Sequence, residues 1–106
     1  MSPEVVENGQ YNEKADIWSL GCIIYELAAQ SPPFTAKNLI ELAKNIKRGK
    51  FSRIPQEYSD ELQALIQSLL VVKPTKRPSV KDILFHPRLM RMRTQDLEKE
   101  LLKLEN

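Results

Sequence analysis

The chain has a single cysteine and a single histidine among its 106 residues. One cysteine excludes an internal disulfide framework, and one residue of each kind cannot close a structural zinc site. The three glycines, Gly9, Gly21 and Gly49, stand far apart, so no glycine-rich loop is present to cradle phosphates. An excess of one charge is lacking too. Sixteen basic residues face fourteen acidic ones for a net charge of +2, too little to point to nucleic acid or an anionic membrane. No run approaches the roughly 18 apolar residues of a membrane span. The acidic opening Met1-Ser2-Pro3-Glu4 does not read as a signal peptide. A soluble protein of a reducing compartment is expected. What is present suffices for a core: 42% hydrophobic and 28% charged residues are ordinary for a globular protein. Folded compactly, a chain of this length would bury roughly two-thirds of its unfolded surface.

Seven prolines punctuate the chain, each between apolar-periodic segments rather than inside one. Only residues 51–54 resemble a strand, and they have no partner. The expected class is all-α with four main helices. The first runs from about 13 to 30, with Asn12 as N-cap and Glu13 and Asp16 in its first turn. At about 100° per residue, Ser19, Glu26 and Gln30 fall in one narrow stripe, and apolar residues cover nearly everything else. Such a helix belongs at the centre of something larger than this chain. Ile17, Trp18, Leu20, Ile24 and Leu27 are therefore expected to lack cover and to leave an apolar patch.

A second helix is expected over about 36–48, with Leu39, Ile40, Leu42, Ala43 and Ile46 on its core side and Gly49 as its stop. A third starts at Ser59 as cap and buries Leu62, Leu65, Ile66, Leu69 and Leu70. A fourth begins at Ser79, with Ser79 and Asp82 at capping-box spacing. It should face Val80, Ile83 and Leu84 inward and stop at Pro87. From about residue 90 the character changes. Leu97, Leu101 and Leu104 follow spacings of four and three among charged residues. Both a short coiled coil that dimerises the chain and an amphipathic helix packing back on the domain fit two heptads.

Three separated signals converge on a family. Ser2-Pro3-Glu4 opens the chain. Asp16-Ile17-Trp18-Ser19-Leu20-Gly21-Cys22 follows, leading through Tyr25-Glu26-Leu27 to Pro32-Pro33-Phe34. Arg77-Pro78-Ser79 then precedes the last domain helix and its His86-Pro87 stop. In this order they resemble the C-terminal part of the large lobe of a eukaryotic protein kinase, from the A-P-E motif onward. The resemblance covers residues 1–89 as a partial kinase domain, and 90–106 would begin the helical tail. Tyr11-Asn12-Glu13-Lys14, Gly49-Lys50-Phe51 and Ile54-Pro55 are similar to the NIMA-related (Nek) serine/threonine kinases, centrosomal and mitotic members above all. Ser2 stands where alanine is usual.

The resemblance implies jobs for particular residues. Glu4 matches the A-P-E glutamate and Arg77 its arginine partner; a buried bidentate pair is implied, where unrelated surface charges would be the plain alternative. Asp16 matches the aspartate that anchors the catalytic loop, although an aspartate in a first helical turn is otherwise a routine dipole partner. Trp18 and Gly21 become packing residues, with Gly21 permitting close approach of another backbone, and Cys22 an inert buried thiol. Glu26 matches a substrate-contact position, with a structural hydrogen bond as an equal reading. The second helix matches the G helix, which docks substrates or regulators.

Phosphoryl transfer needs phosphates cradled, magnesium held and a base aligned with the attacking hydroxyl. The chain contains no VAIK-type lysine, no H-R-D loop and no D-F-G. No catalytic, cofactor-binding or metal-binding residue is therefore assigned. ATP and magnesium belong to a full-length parent that would phosphorylate serine and threonine in protein substrates, and this chain alone is expected to be inactive. The expected setting is the cytoplasm, with the centrosome or nucleus as stations. The alternative is a non-catalytic short product that binds, dimerises with or competes against the intact kinase. Neither reading involves nucleic acid or a membrane.

Overall fold

The computed structural model describes residues 1–9, 12–85 and 101–103. Asn12 starts the long helix as the sequence requires: its side-chain oxygen accepts from Lys14 N at 2.9 Å, satisfying one of the first turn's orphan amides. This helix is the second in the chain. The order is α1 (Pro3–Asn8), α2 (Glu13–Ala29), α3 (Leu39–Arg48), α4 (Asp60–Leu69), a 3-10 turn (Pro74–Lys76) and α5 (Val80–Leu84). Residues 101–103 are also helical. No strand occurs among the described residues, and residues 51–54 are irregular. No helix among them is long and apolar enough to cross a membrane. The short α1, with Pro3 at its first position and Gly9 closing it, has no counterpart in the sequence expectations.

The axis of the fold is the packing of α4 across α2. Gly21 makes it possible: a Cβ built there would stand 2.9 Å from both Leu69 Cβ and Leu70 Cδ2. The expected close neighbour was another backbone, but the groups that approach are these two leucine side chains. Beside this contact an aromatic series fills the same core. Trp18, fully buried, stacks on Phe34 at 5.4 Å and 10°. Phe34 meets Phe51 edge-on at 6.0 Å, and Phe51 meets Tyr25 at 5.6 Å. The Tyr25 hydroxyl then donates to Ser52 O at 2.8 Å. Buried Gln63 fixes the same loop, its Oε1 accepting from Ile54 N at 3.0 Å. Each link gives the irregular 51–58 connection a partner it could not find within itself.

Several expectations are corrected here. The α3 helix begins at Leu39 rather than near 36, because the Asn38 side chain caps it by accepting from Glu41 N. Asn45 holds the preceding loop by donating to Thr35 O at 2.9 Å. Leu39 and Ile40 are 77% and 71% exposed: the first turn of α3 projects past the core, and only Ile46 is buried on this helix. The Ser79–Asp82 capping box is present in both directions, yet Val80 and Leu84 of α5 are exposed and only Ile83 is half-buried. The one-and-a-half-turn helix is held by its cap rather than by an apolar face. It ends at Leu84, and Pro87 lies outside the described residues. Ile17 and Trp18, expected to lack cover, are buried within the chain, Trp18 by Phe34 on one side and a guanidinium on the other. Leu20, Ile23 and Leu27 are exposed, and with them Asp16. These four share one face of α2 at i, i+4, i+7 and i+11.

Candidate functional site

Glu4 and Arg77 are 73 residues apart in sequence and meet in space. Proline at the first turn of α1 fixes the entry of that helix and sets Glu4 on it. The 3-10 turn Pro74–Lys76 delivers Arg77 immediately afterwards in extended backbone. The two planar groups engage side by side: Nη1 donates to Glu4 Oε2 at 2.8 Å and Nη2 to Oε1 at 2.9 Å. The remaining donors go to carbonyls, Nε to Val71 at 2.7 Å, Nη1 to Lys14 at 2.8 Å and Nη2 to Val72 at 3.1 Å. All five guanidinium N–H groups thus have an acceptor. The Arg77 side chain is fully buried and that of Glu4 10% exposed. The guanidinium carbon stands 5.0 Å from the Trp18 ring centroid, a cation–π contact.

Burial alone would raise the Glu4 pKa, but hydrogen bonds from Arg77 and the backbone, with the guanidinium charge, hold it below the ordinary glutamate value. Lys14 completes the arrangement by a second route, donating from Nζ to Arg77 O at 2.8 Å. The knot therefore joins α1, α2 and the segment leading into α5. Its chemistry is that of a clamp, since every donor is committed and no group is left to bind or transfer a proton.

The other singled-out residues lie elsewhere. Asp16 is exposed on the α2 face that carries Leu20, Ile23 and Leu27. Trp18 and Gly21, three residues apart on α2, line adjoining parts of the same core. Glu26 is exposed on α2. Cys22 is half-buried, and burial, with the Glu26 charge adding, pushes its thiol pKa up. That keeps it in the unreactive form. Of the tail leucines, Leu101 is 59% exposed, while Leu97 and Leu104 lie outside the described residues. Among the described residues no group of His, Cys, Asp and Glu could hold a metal ion.

Two features escaped sequence reasoning. Lys14 gave no signal, because its role depends on Arg77 being brought to it. The other is an open cleft of about 360 Å³ between the loop after α2 and the end of α3. The basic run Lys44, Lys47, Arg48, Lys50, of which Arg48 and Lys50 border it, was visible in the sequence as a cue.

Comparison with known proteins places residues 1–89 in the protein kinase domain family. The chain is 56% identical over 87 residues to human serine/threonine-protein kinase Nek2, an alignment covering 82% of this chain and 20% of that protein. It is 48% identical over 100 residues to the G2-specific protein kinase nim-1 of Neurospora crassa, covering 92% and 12% respectively. To the G2-specific protein kinase nimA of Emericella nidulans it is 44% identical over 93 residues, covering 86% and 13%. The chain thus spans a fifth or less of the length of these relatives.

Proposed function

The chain belongs to the protein kinase family, in its NIMA-related serine/threonine branch, and from that premise we propose that it is the structural base of a cell-cycle protein kinase. The whole enzyme would transfer the γ-phosphoryl group of MgATP to serine and threonine hydroxyls of protein substrates in the cytoplasm and at the centrosome. Among the described residues no group of His, Cys, Asp and Glu could hold magnesium, and the sequence has no H-R-D or D-F-G stretch, so nucleotide and magnesium are assigned to other segments of such an enzyme. The role of the present residues is to hold and orient.

The observation that carries this reading is the fully satisfied Glu4–Arg77 clamp. It ties the A-P-E-type segment, next to which a kinase substrate lies, to the rigid helical base. The exposed face of α2 supports it as well. Asp16 heads an apolar strip of Leu20, Ile23 and Leu27, which suits an anchor for the catalytic loop with a helix packed beside it. On this reading Glu26 faces substrate, and the tail, with Leu101 exposed, begins a dimerising coil.

The test is a graft in which residues 1–89 replace the matching stretch of a NIMA-related kinase, with phosphoryl transfer to a protein substrate measured. Transfer is expected to persist. Asp16→Ala should lower it by about a hundredfold in a graft that still folds, the scale of a misplaced reacting group. A folded graft without transfer, or full activity with Asp16→Ala, would overturn the reading. A chain that instead binds and inhibits the intact kinase would favour the non-catalytic alternative.

A further inference from the structure

Residues 37–53 carry six basic side chains against one acidic, in a chain whose net charge is only +2. Within that stretch Lys44 pairs with Glu41 and Arg53 with Asp60. Arg48 and Lys50 are exposed, and among the described residues neither has an ion-pair partner. Cations in a last helical turn often do no more than complement the dipole, and that accounts for Lys47 and Arg48. It does not account for Lys50, which lies beyond the Gly49 cap. There the left-handed backbone, φ 66°, turns the chain so that Lys50 borders the same cleft as Arg48. That turn is itself constrained, since a Cβ at Gly49 would collide with Val72 Cγ2.

The cleft is built rather than incidental. Phe34 and Phe51 form apolar wall, and both are locked in the aromatic series that begins at Trp18 and ends with the Tyr25 bond to Ser52 O. Thr35 and Ser52 border it as well. Two cations without an ion-pair partner among the described residues and two hydroxyl-bearing residues thus border an aromatic base that is already packed, which lowers the ordering cost a ligand has to meet.

We propose that this cleft docks a phosphorylated serine or threonine in an extended segment of a partner protein, with the apolar residue next to the phosphate set against Phe34 and Phe51. The dianion offers three oxygens. A guanidinium can take two of them in its fork and an ammonium supplies the second charge. A glutamate carboxylate carries one charge and two oxygens and would leave one cation unanswered. Docking of this kind needs no catalysis, so it stands apart from the kinase reading.

The experiment is fluorescence anisotropy of a labelled nine-residue peptide carrying phosphoserine beside leucine, without ATP, on the 106-residue chain and on the graft. The Ser and Glu versions of the peptide and inorganic phosphate serve as competitors. The phosphopeptide is expected to bind about tenfold or more tightly than either version, the scale of one charge-assisted contact. Arg48→Ala with Lys50→Ala should remove most of that preference, and Lys73→Ala with Lys81→Ala, an equal loss of charge outside the cleft, should not. The near-ultraviolet signal of Trp18 reports that each protein is folded. Equal binding of the Glu and phosphoserine peptides, an unchanged affinity in the double variant, or no binding by folded protein would each overturn the proposal. So would displacement by inorganic phosphate alone at equal concentration, which would make the site one for free anion.

Discussion

Removing Arg77 should be among the most damaging single changes in this chain, and the structure allows the cost to be worked out. Arg77→Ala deletes two hydrogen bonds to a carboxylate and three to carbonyls, together with the cation–π contact on Trp18. It leaves Glu4, 10% exposed, as an unpaired carboxylate, and strands the carbonyls of Val71 and Val72, whereas that of Lys14 keeps its place in the α2 ladder. A broken buried ion pair costs about 3–5 kcal/mol; the five lost bonds place Arg77→Ala at the upper end. Glu4→Gln should cost less, about 2 kcal/mol, because the guanidinium keeps its three carbonyl acceptors and one side-chain oxygen. The ordering is the diagnostic part.

Urea unfolding followed by Trp18 fluorescence reads it directly, since the only tryptophan lies against the guanidinium. With a slope of about 1–1.5 kcal/mol per molar for a small domain, Arg77→Ala should lower the midpoint by about 3 M. For a marginally stable chain that amounts to unfolding in buffer. The loss should also survive 1 M salt, because a buried pair is little screened. Asp60→Asn is the contrast: Asp60 is 98% exposed in its pair with Arg53, and its loss should fall within about 1 kcal/mol. If Arg77→Ala came within 1 kcal/mol of the parent chain, or Glu4→Gln proved the costlier change, the clamp would not organise the fold as argued.

Three further outcomes follow from the same geometry. Because the Glu4 pKa is lowered in the folded state, its contribution is fully present above the unfolded value near 4.5 and fades as pH falls through the folded value; midpoints taken from pH 7 to pH 3 should fall, and the fall should be smaller in Glu4→Gln. Gly21→Ala sets a methyl 2.9 Å from Leu69 Cβ, so overpacking of about 1–3 kcal/mol should outweigh the gain in helix propensity of about 1 kcal/mol and lower the melting temperature. Gln30 closes α2 with φ 58°, a conformation glycine adopts without strain; Gln30→Gly should raise stability by about 0.5–1 kcal/mol, read by the same urea midpoint.

How much of this could be read in advance differs by physical cause. Asn12, Ser59 and Ser79 act as caps where the sequence puts them, because capping is a local bargain between one side chain and amides two or three residues on. Gly49 likewise stops α3. The failures share the opposite character. Leu39 and Ile40 follow a helical period, yet period says which residues share a face and nothing about whether that face reaches a core. Val80 and Leu84 fail for the same reason. Trp18 was expected to need cover, because its neighbours Phe34 and Arg77 come from 16 and 59 residues away and no local pattern announces them. Lys14 and Gln63 are clearer still: a lysine and a glutamine become structural only when Arg77 and Ile54 are delivered to them. Family resemblance did supply the pairing of Glu4 with Arg77, though not the three carbonyls that complete it. Those carbonyls explain why the residue must be arginine: lysine has three donors on one nitrogen and cannot span acceptors on Glu4, Lys14, Val71 and Val72 at once. The clamp is therefore a property of the guanidinium's fork as much as of its charge, and the same fork is what makes a buried cation tolerable at the centre of a helical base.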